Sequence, residues 1–305
     1  MSLLSMLKPN GKSGFGYGST AEEVTAGLNL TGKNILITGC NSGLGRETAR
    51  VLALRGARIF GTARSAEKAN SALIEFGSGH RGFECELANP KSAYACVAAL
   101  KKEKIQLDAI ICNAGIMALP KLEKAHGYEL QFFTNHIGHF ILVTGLLDQL
   151  TGDGRVVMLS SAAHNGAPAS GIEFENLSGD ADYRPWRAYG QSKLANLLFA
   201  KELSRRLAGT RRTANAVHPG VIKTNLTRHM PGIANVVFGM VSPLFLKSVE
   251  QGAATQCYVA VHPHAANISG EYFADVNIAK PRRDAEDSRL AGRLWKVSEE
   301  IVGLL

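Results

Sequence analysis

The stretch NILITGCNSGLGRETARVLALRG, residues 34–56, constrains the fold more than any other. A short apolar run ends in glycine, as strands of a parallel sheet do when both of their faces are buried. A glycine-rich loop follows at once, and apolar residues then recur at helical spacing until a glycine stop. Strand, glycine loop and helix in that order place free backbone N–H groups at a helix N-terminus, where a phosphate is welcome. Gly39 permits the sharp turn, while Gly43 and Gly45 let a pyrophosphate and the helix approach closely. Asn41, Ser42 and Leu44 complete the loop.

The rest of the chain keeps the alternation. Residues 57–63, 81–88, 107–115, 154–163, 212–220 and 269–275 read as strands; 66–77, 89–104, about 126–150, 187–208 and 248–261 read as helices. Alternating elements call for a parallel sheet covered on both sides, and right-handed crossovers leave a single-domain, Rossmann-type doubly wound α/β fold. Residues 1–29 read as a mobile N-terminal arm, 30–280 as the domain and 281–305 as a C-terminal helical extension. Two stretches, 164–186 and 223–247, read as insertions at the ligand-bearing edge, the second a lid over substrate.

Composition narrows the classes of function. The net charge of +8 is spread among acids and apolar residues, with no stripe or aromatic platform, so no nucleic-acid partner is expected. No apolar run is long enough to span a bilayer, and the start lacks the long apolar region of a signal peptide. Cytoplasmic residence without membrane contact is therefore the expectation. The five cysteines are scattered and read as reduced packing residues. His136, His139 and His164 lack the spacing of a metal site, so no metal is expected. His218, before a Pro-Gly turn, reads as structural or cofactor-adjacent.

In RAYGQSKLAN, residues 187–196, Tyr189 and Lys193 share one face of a helix. A free phenol has a pKa of about 10, and a fixed ammonium beside it favours the phenolate. Such a pair can shuttle a proton, or it can be an ordinary surface pair. Where the second strand ends in FGTAR, Ala63 stands where an acid would bind the ribose hydroxyls of NAD, and Arg64 follows. A guanidinium there could clamp a 2′-phosphate, which favours NADP(H) over the alternative, NAD(H).

The glycine spacing together with YGQSK resembles the short-chain dehydrogenase/reductase family. Further marks fall in order: NAG (113–115), TNHIGHF (134–140), LSS (159–161) and HPGVIKT (218–224). ELQFFTNHIGHF, SSAAH and RLWKVSEE look like its retinol-dehydrogenase-like branch. QGAATQCYVAVHP and SGEYFADVNIAKP are similar to plant chloroplast-envelope members of that branch, although no transit peptide is evident. The resemblance implies Tyr189 as general acid/base, Lys193 on the nicotinamide ribose, Ser161 polarising the substrate oxygen and Asn135 supporting a water chain. It implies Glu86 and Leu87 beside the adenine, and Asn113, Ala114 and Gly115 along the ribose and phosphates. Pro219, Gly220, the Ile222 backbone and Thr224 fall at the nicotinamide. A homodimer or homotetramer is implied in the same way.

The expected activity is interconversion of an alcohol with its aldehyde or ketone by hydride transfer. Leu226, Met230, Val236, Val237, Phe238, Met240 and Phe245 suggest a lipophilic small molecule, with His164, Phe174 and Trp186 in a built-up pocket wall. The alternative is an NADP(H)-binding redox sensor or scaffold with little turnover.

Overall fold

The computed structural model describes residues 8–222 and 246–305. Its main element is an eight-stranded sheet built from β1 (Asn34–Thr38), β2 (Arg58–Ala63), β3 (Arg81–Glu84), β4 (Leu107–Cys112), β7 (Leu150–Leu159), β8 (Thr213–His218), β9 (Tyr272–Ala274) and β10 (Asn277–Ile278). The order is β10-β9-β8-β7-β4-β1-β2-β3, all pairs parallel except β9–β10. This is the doubly wound α/β architecture that alternating strands and helices imply.

Alternation along the strands feeds two cores. Leu36, Ile110, Cys112, Val156 and Met158 enter one, and Ile35, Ile37, Ala109, Ile111 and Val157 the other. The first face is covered by α4 (Pro90–Lys102), α6 (Gly138–Gly145), α7 (Pro185–Arg206) and α9 (Ser288–Gly303). The second is covered by α2 (Gly43–Leu54), α3 (Ala66–Leu73) and α8 (Val249–Val261), with a short α1 (Ala21–Val24) against it. Each fully buried Leu or Ile contributes about 1.5–3 kcal/mol, so two-sided burial is what holds β1 and β4 at the centre.

The structure departs from the sequence reading in two places. The helix expected over 126–150 is shorter. Residues 124–125 and 128–129 form a small hairpin, β5 (Lys124–Ala125) and β6 (Tyr128–Glu129), turned by His126 and Gly127 at φ 50° and 84°. Helix then runs as α5 (Leu130–Phe132), a π-helical turn (Phe133–Ile137) and α6, and β7 already begins at Leu150. The arm expected to be mobile is docked from Lys8 onward: Ser13 N donates to Asn277 Oδ1 (3.0 Å), Asn277 Nδ2 to the Phe15 carbonyl (3.0 Å) and Gln251 Nε2 to the Gly18 carbonyl (3.0 Å). The lid expected over 223–247 lies almost wholly outside the described residues, and Thr224 and the apolar series Leu226 to Phe245 with it. Among the described residues no helix is long and apolar enough to cross a membrane.

Candidate active site

Strand order reverses between β1 and β4. Ligands of open α/β sheets bind outside the carboxyl ends of the strands at such a point. The glycine loop follows β1, Asn113–Gly115 follows β4, Ser161 follows β7 and Pro219–Ile222 follows β8. Topology thus gathers residues far apart in sequence at one edge.

The glycine loop is shaped for an anion. Gly39 and Gly43 have φ of 68° and 52°, where a side chain is strained. A Cβ on Gly39 would press on Ala114 (3.1 Å), and one on Gly45 would be driven into the Gly39 carbonyl. Around Gly43 there is open space, and Asn41 and Ser42 are exposed. Ser42 caps α2 without a side-chain hydrogen bond, whereas Ser65, Asn89, Ser248 and Asp287 each cap their helices through the side chain. The first N–H groups of α2 are therefore left for another acceptor. Arg64, just past β2, is exposed and makes no hydrogen bond or ion pair with the described residues. Glu86 is turned onto its own loop, its carboxylate accepting from Ala88 N at 3.3 Å, and Leu87 is buried with its carbonyl against Gly138. Leu44 and Ile222 meet over Gly252, where a Cβ would come within 2.7 Å of Leu44 Cδ2.

After β4 the chain is braced onto β1. Asn113 Nδ2 donates to the Thr38 carbonyl and Ala114 N to Thr38 Oγ1, both at 2.9 Å. Gly115 leaves room for the groups behind it, since a Cβ there would meet Asn135 Oδ1 at 2.9 Å and Lys193 Nζ at 3.5 Å. Asn135 is fully buried in the π-helical turn. Its carboxamide accepts from Ile116 N (2.8 Å) and donates to the Ile116 carbonyl (2.9 Å) and Ser192 Oγ (3.0 Å). The Asn135 backbone carbonyl faces His139 Nδ1 (2.9 Å), and His139 Nε2 faces Thr38 Oγ1 (2.9 Å). Burial pushes His139 down to about 4. The ring is thus neutral, donating from Nδ1 and accepting from the threonine hydroxyl.

Two adjacent serines take opposite duties. Ser160 is buried and donates to the Lys193 backbone carbonyl (2.8 Å), while half-buried Ser161 accepts from Ala163 N (3.1 Å) and lies near enough to the Tyr189 phenol to favour its ionised form. Lys193 Nζ lies 5.6 Å from the Tyr189 ring centroid and donates to the Leu159 carbonyl at 3.1 Å. Burial draws the Lys193 ammonium down to about 8. Burial also pushes Tyr189 up to about 12, against the opposing pull of nearby Ser161. The sequence reading expected the ammonium to make the phenol more acidic; in this geometry desolvation is the larger influence, and the opposing one comes from Ser161.

Around this pair, His218 Nδ1 accepts from Ala162 N (3.2 Å), and burial lowers it to about 4, so it braces the loop after β7 as a neutral ring. Gly220 takes φ 94° beside Lys247, whose N–H donates to the Val221 carbonyl (2.9 Å), next to a bridge between Ile222 and Lys247. Of the expected pocket wall only Trp186 faces Tyr189, edge-on at 6.1 Å and 54% exposed. His164 is buried against Tyr272 (5.0 Å) and accepts from Arg282 N, and Phe174 lies under the Arg293 guanidinium at 4.0 Å. Both are held by the C-terminal segment. Among the described residues no group of three His, Cys, Asp or Glu could hold a metal.

Thr38 and Asn196 escaped the sequence reading, and His139 was weighed there only as a metal ligand. Asn196 follows Tyr189 and Lys193 at i+7 and i+3, so the spacing alone places it on their face. It is fully buried and donates to the Leu159 carbonyl at 2.9 Å.

A family model described as short chain dehydrogenase matches residues 33–231. The chain is 41% identical over 307 residues to short-chain dehydrogenase TIC 32 A, chloroplastic, of Brassica napus, covering 96% of this chain and 95% of that one. It is 39% identical over 295 residues to retinol dehydrogenase 14 of Mus musculus, covering 90% and 87%. A solved structure of an uncharacterised Mycobacterium paratuberculosis protein superposes with a TM-score of 0.76 at 32% identity, covering 94% of this chain and 98% of that one. A blue fluorescent protein from a metagenomic library, solved with NADPH, shares the fold at a TM-score of 0.65 and 24% identity, covering 81% and 97%. With the glycine loop, the Ser161–Tyr189–Lys193 grouping and these matches together, the chain belongs to the short-chain dehydrogenase/reductase family of oxidoreductases and is similar to its retinol dehydrogenases.

Proposed function

We propose that the protein is an NADP(H)-dependent oxidoreductase that interconverts an alcohol and its aldehyde or ketone, acting on a lipophilic small molecule. The observation that carries this reading is the Tyr189 phenol grouped with Ser161 and buried Lys193, on the sheet edge that also bears the open glycine loop. The residues present suit a dinucleotide. The free N–H groups of α2 and the space at Gly43 would take its pyrophosphate, and Arg64 its 2′-phosphate. Asn113, Ala114 and Gly115 would line its ribose, and Pro219, Gly220 and Ile222 its nicotinamide end. The bound nicotinamide supplies or accepts the hydride.

The chain's own groups do the rest. Ser161 orients the substrate oxygen, the kind of fixed donor that matters most as charge develops there. A phenol held at about 12 keeps its proton at neutral pH, the state needed to protonate a carbonyl oxygen. Lys193 and Asn135 hold the arrangement from behind. The exposed indole of Trp186, beside the tyrosine, offers an apolar wall. Two of the relatives' own names, as retinol dehydrogenases, agree with a lipophilic substrate.

NADPH-dependent turnover of aliphatic aldehydes, aromatic aldehydes and retinaldehyde tests the reading, with Tyr189→Phe as the control. Turnover on at least one class, lowered about 100-fold or more by the substitution, is expected. Tight NADPH binding with no turnover on any of them would replace it with the sensor reading.

A further inference from the structure

The Leu159 carbonyl, at the end of β7, accepts two buried side-chain donors at once: Lys193 Nζ at 3.1 Å and Asn196 Nδ2 at 2.9 Å. A carbonyl oxygen has two lone pairs, so this one is saturated. Asn196 has no exposure and Lys193 5%, so water does not compete for either bond. At the other end of the carboxamide, Asn196 Oδ1 is buried without a hydrogen-bond partner, as is His136 Nδ1, while His136 Nε2 meets Ser298 Oγ of α9 at 2.8 Å. Asn196 thus holds the oxygen on which the lysine rests.

We propose that Asn196 is a positioning residue for Lys193: it fixes the Leu159 carbonyl as the anchor that keeps the lysine charged and aimed at Tyr189. This rests on the catalytic reading above and deepens it. Burial disfavours the ammonium, and the anchoring oxygen is its one hydrogen-bond acceptor among the described residues. Without Asn196 the carbonyl, at a strand end, is free to turn, and the lysine gives up its proton at lower pH.

The test is the pH dependence of kcat/KM for NADPH-driven aldehyde reduction by the full chain. Asn196→Leu keeps the shape and removes the donor; Asn196→Ser, too short to reach the carbonyl, serves where the leucine variant does not fold. The alkaline limb is expected to move down by about one pH unit, the size of one hydrogen bond to a charged group. Asn196→Gln, which retains a carboxamide, is expected to restore part of that shift. A folded Leu or Ser variant with a lower rate but an unmoved limb would overturn the inference, since a merely structural role lowers stability or rate without shifting a titration. Tyr189→Phe, run alongside, keeps the two ideas apart. If it abolishes turnover while the Asn196 variants leave the limb in place, the positioning role alone fails. If it leaves turnover intact, the catalytic reading fails.

Discussion

At the residue scale, the site depends on which side chains lack room and which lack partners. Gly45 lacks room: Gly45→Ala is expected to push α2 off the Gly39 carbonyl and to weaken NADPH binding severely, checked by titrating protein fluorescence with NADPH. Arg64 lacks a partner among the described residues, so Arg64→Asp should cost little stability. It should also move the ratio of initial rates from NADPH toward NADH; an unchanged ratio would remove the argument for a 2′-phosphate clamp. Much of this was legible in the sequence, because glycine spacing and a Tyr–Lys pair on one helix face are local facts. The direction of the Tyr189 shift was not legible. It depends on how deeply the folded chain buries the phenol, which local spacing does not state. The same holds for His164 and Phe174, which a linear reading placed in the pocket and which Arg282 and Arg293, more than a hundred positions later, hold elsewhere.

At the element scale, α9 shows what a terminal helix can do for a site that it does not touch. Trp295 stacks on Phe199 at 5.4 Å with planes 1° apart, meets Phe140 edge-on at 5.0 Å and carries the Arg206 guanidinium at 4.1 Å. It is 5% exposed, and its Nε1 donates to Glu299 at 2.7 Å. Trp295→Ala is expected to cost about 3–5 kcal/mol, read from the urea midpoint, because the indole fills the seam between α7 and α6. The sequence announced a helical extension over 281–305, but not its docking face. The π-helical turn was equally silent: a shift to i→i+5 bonding has no composition of its own, so a continuous helix was the natural reading of 126–150.

At the scale of the whole molecule, buried rings set a boundary on acid tolerance. Burial holds His136 near 3, His139 near 4 and His218 near 4 in the folded chain, while an unfolded histidine titrates near 6.5. Between those values the unfolded state binds more protons, so stability falls as pH drops from about 6.5 toward 4. Thermal melts across that range should show a declining Tm, and the slope should be shallower in His136→Phe. The doubly wound parallel sheet and its two-sided cover were readable from alternation, because each strand's character is local. The docking of the N-terminal arm was not, since its bonds join residues some 260 positions apart. That docking has one further consequence. The sheet finishes in β10, a strand of two residues whose Asn277 is gripped by the arm, and at its other end in β3, four residues long and bearing Arg81 and Glu84. Neither margin offers a long bare ladder to a stranger's backbone, so concentrated solutions of this chain should resist fibril growth by strand addition.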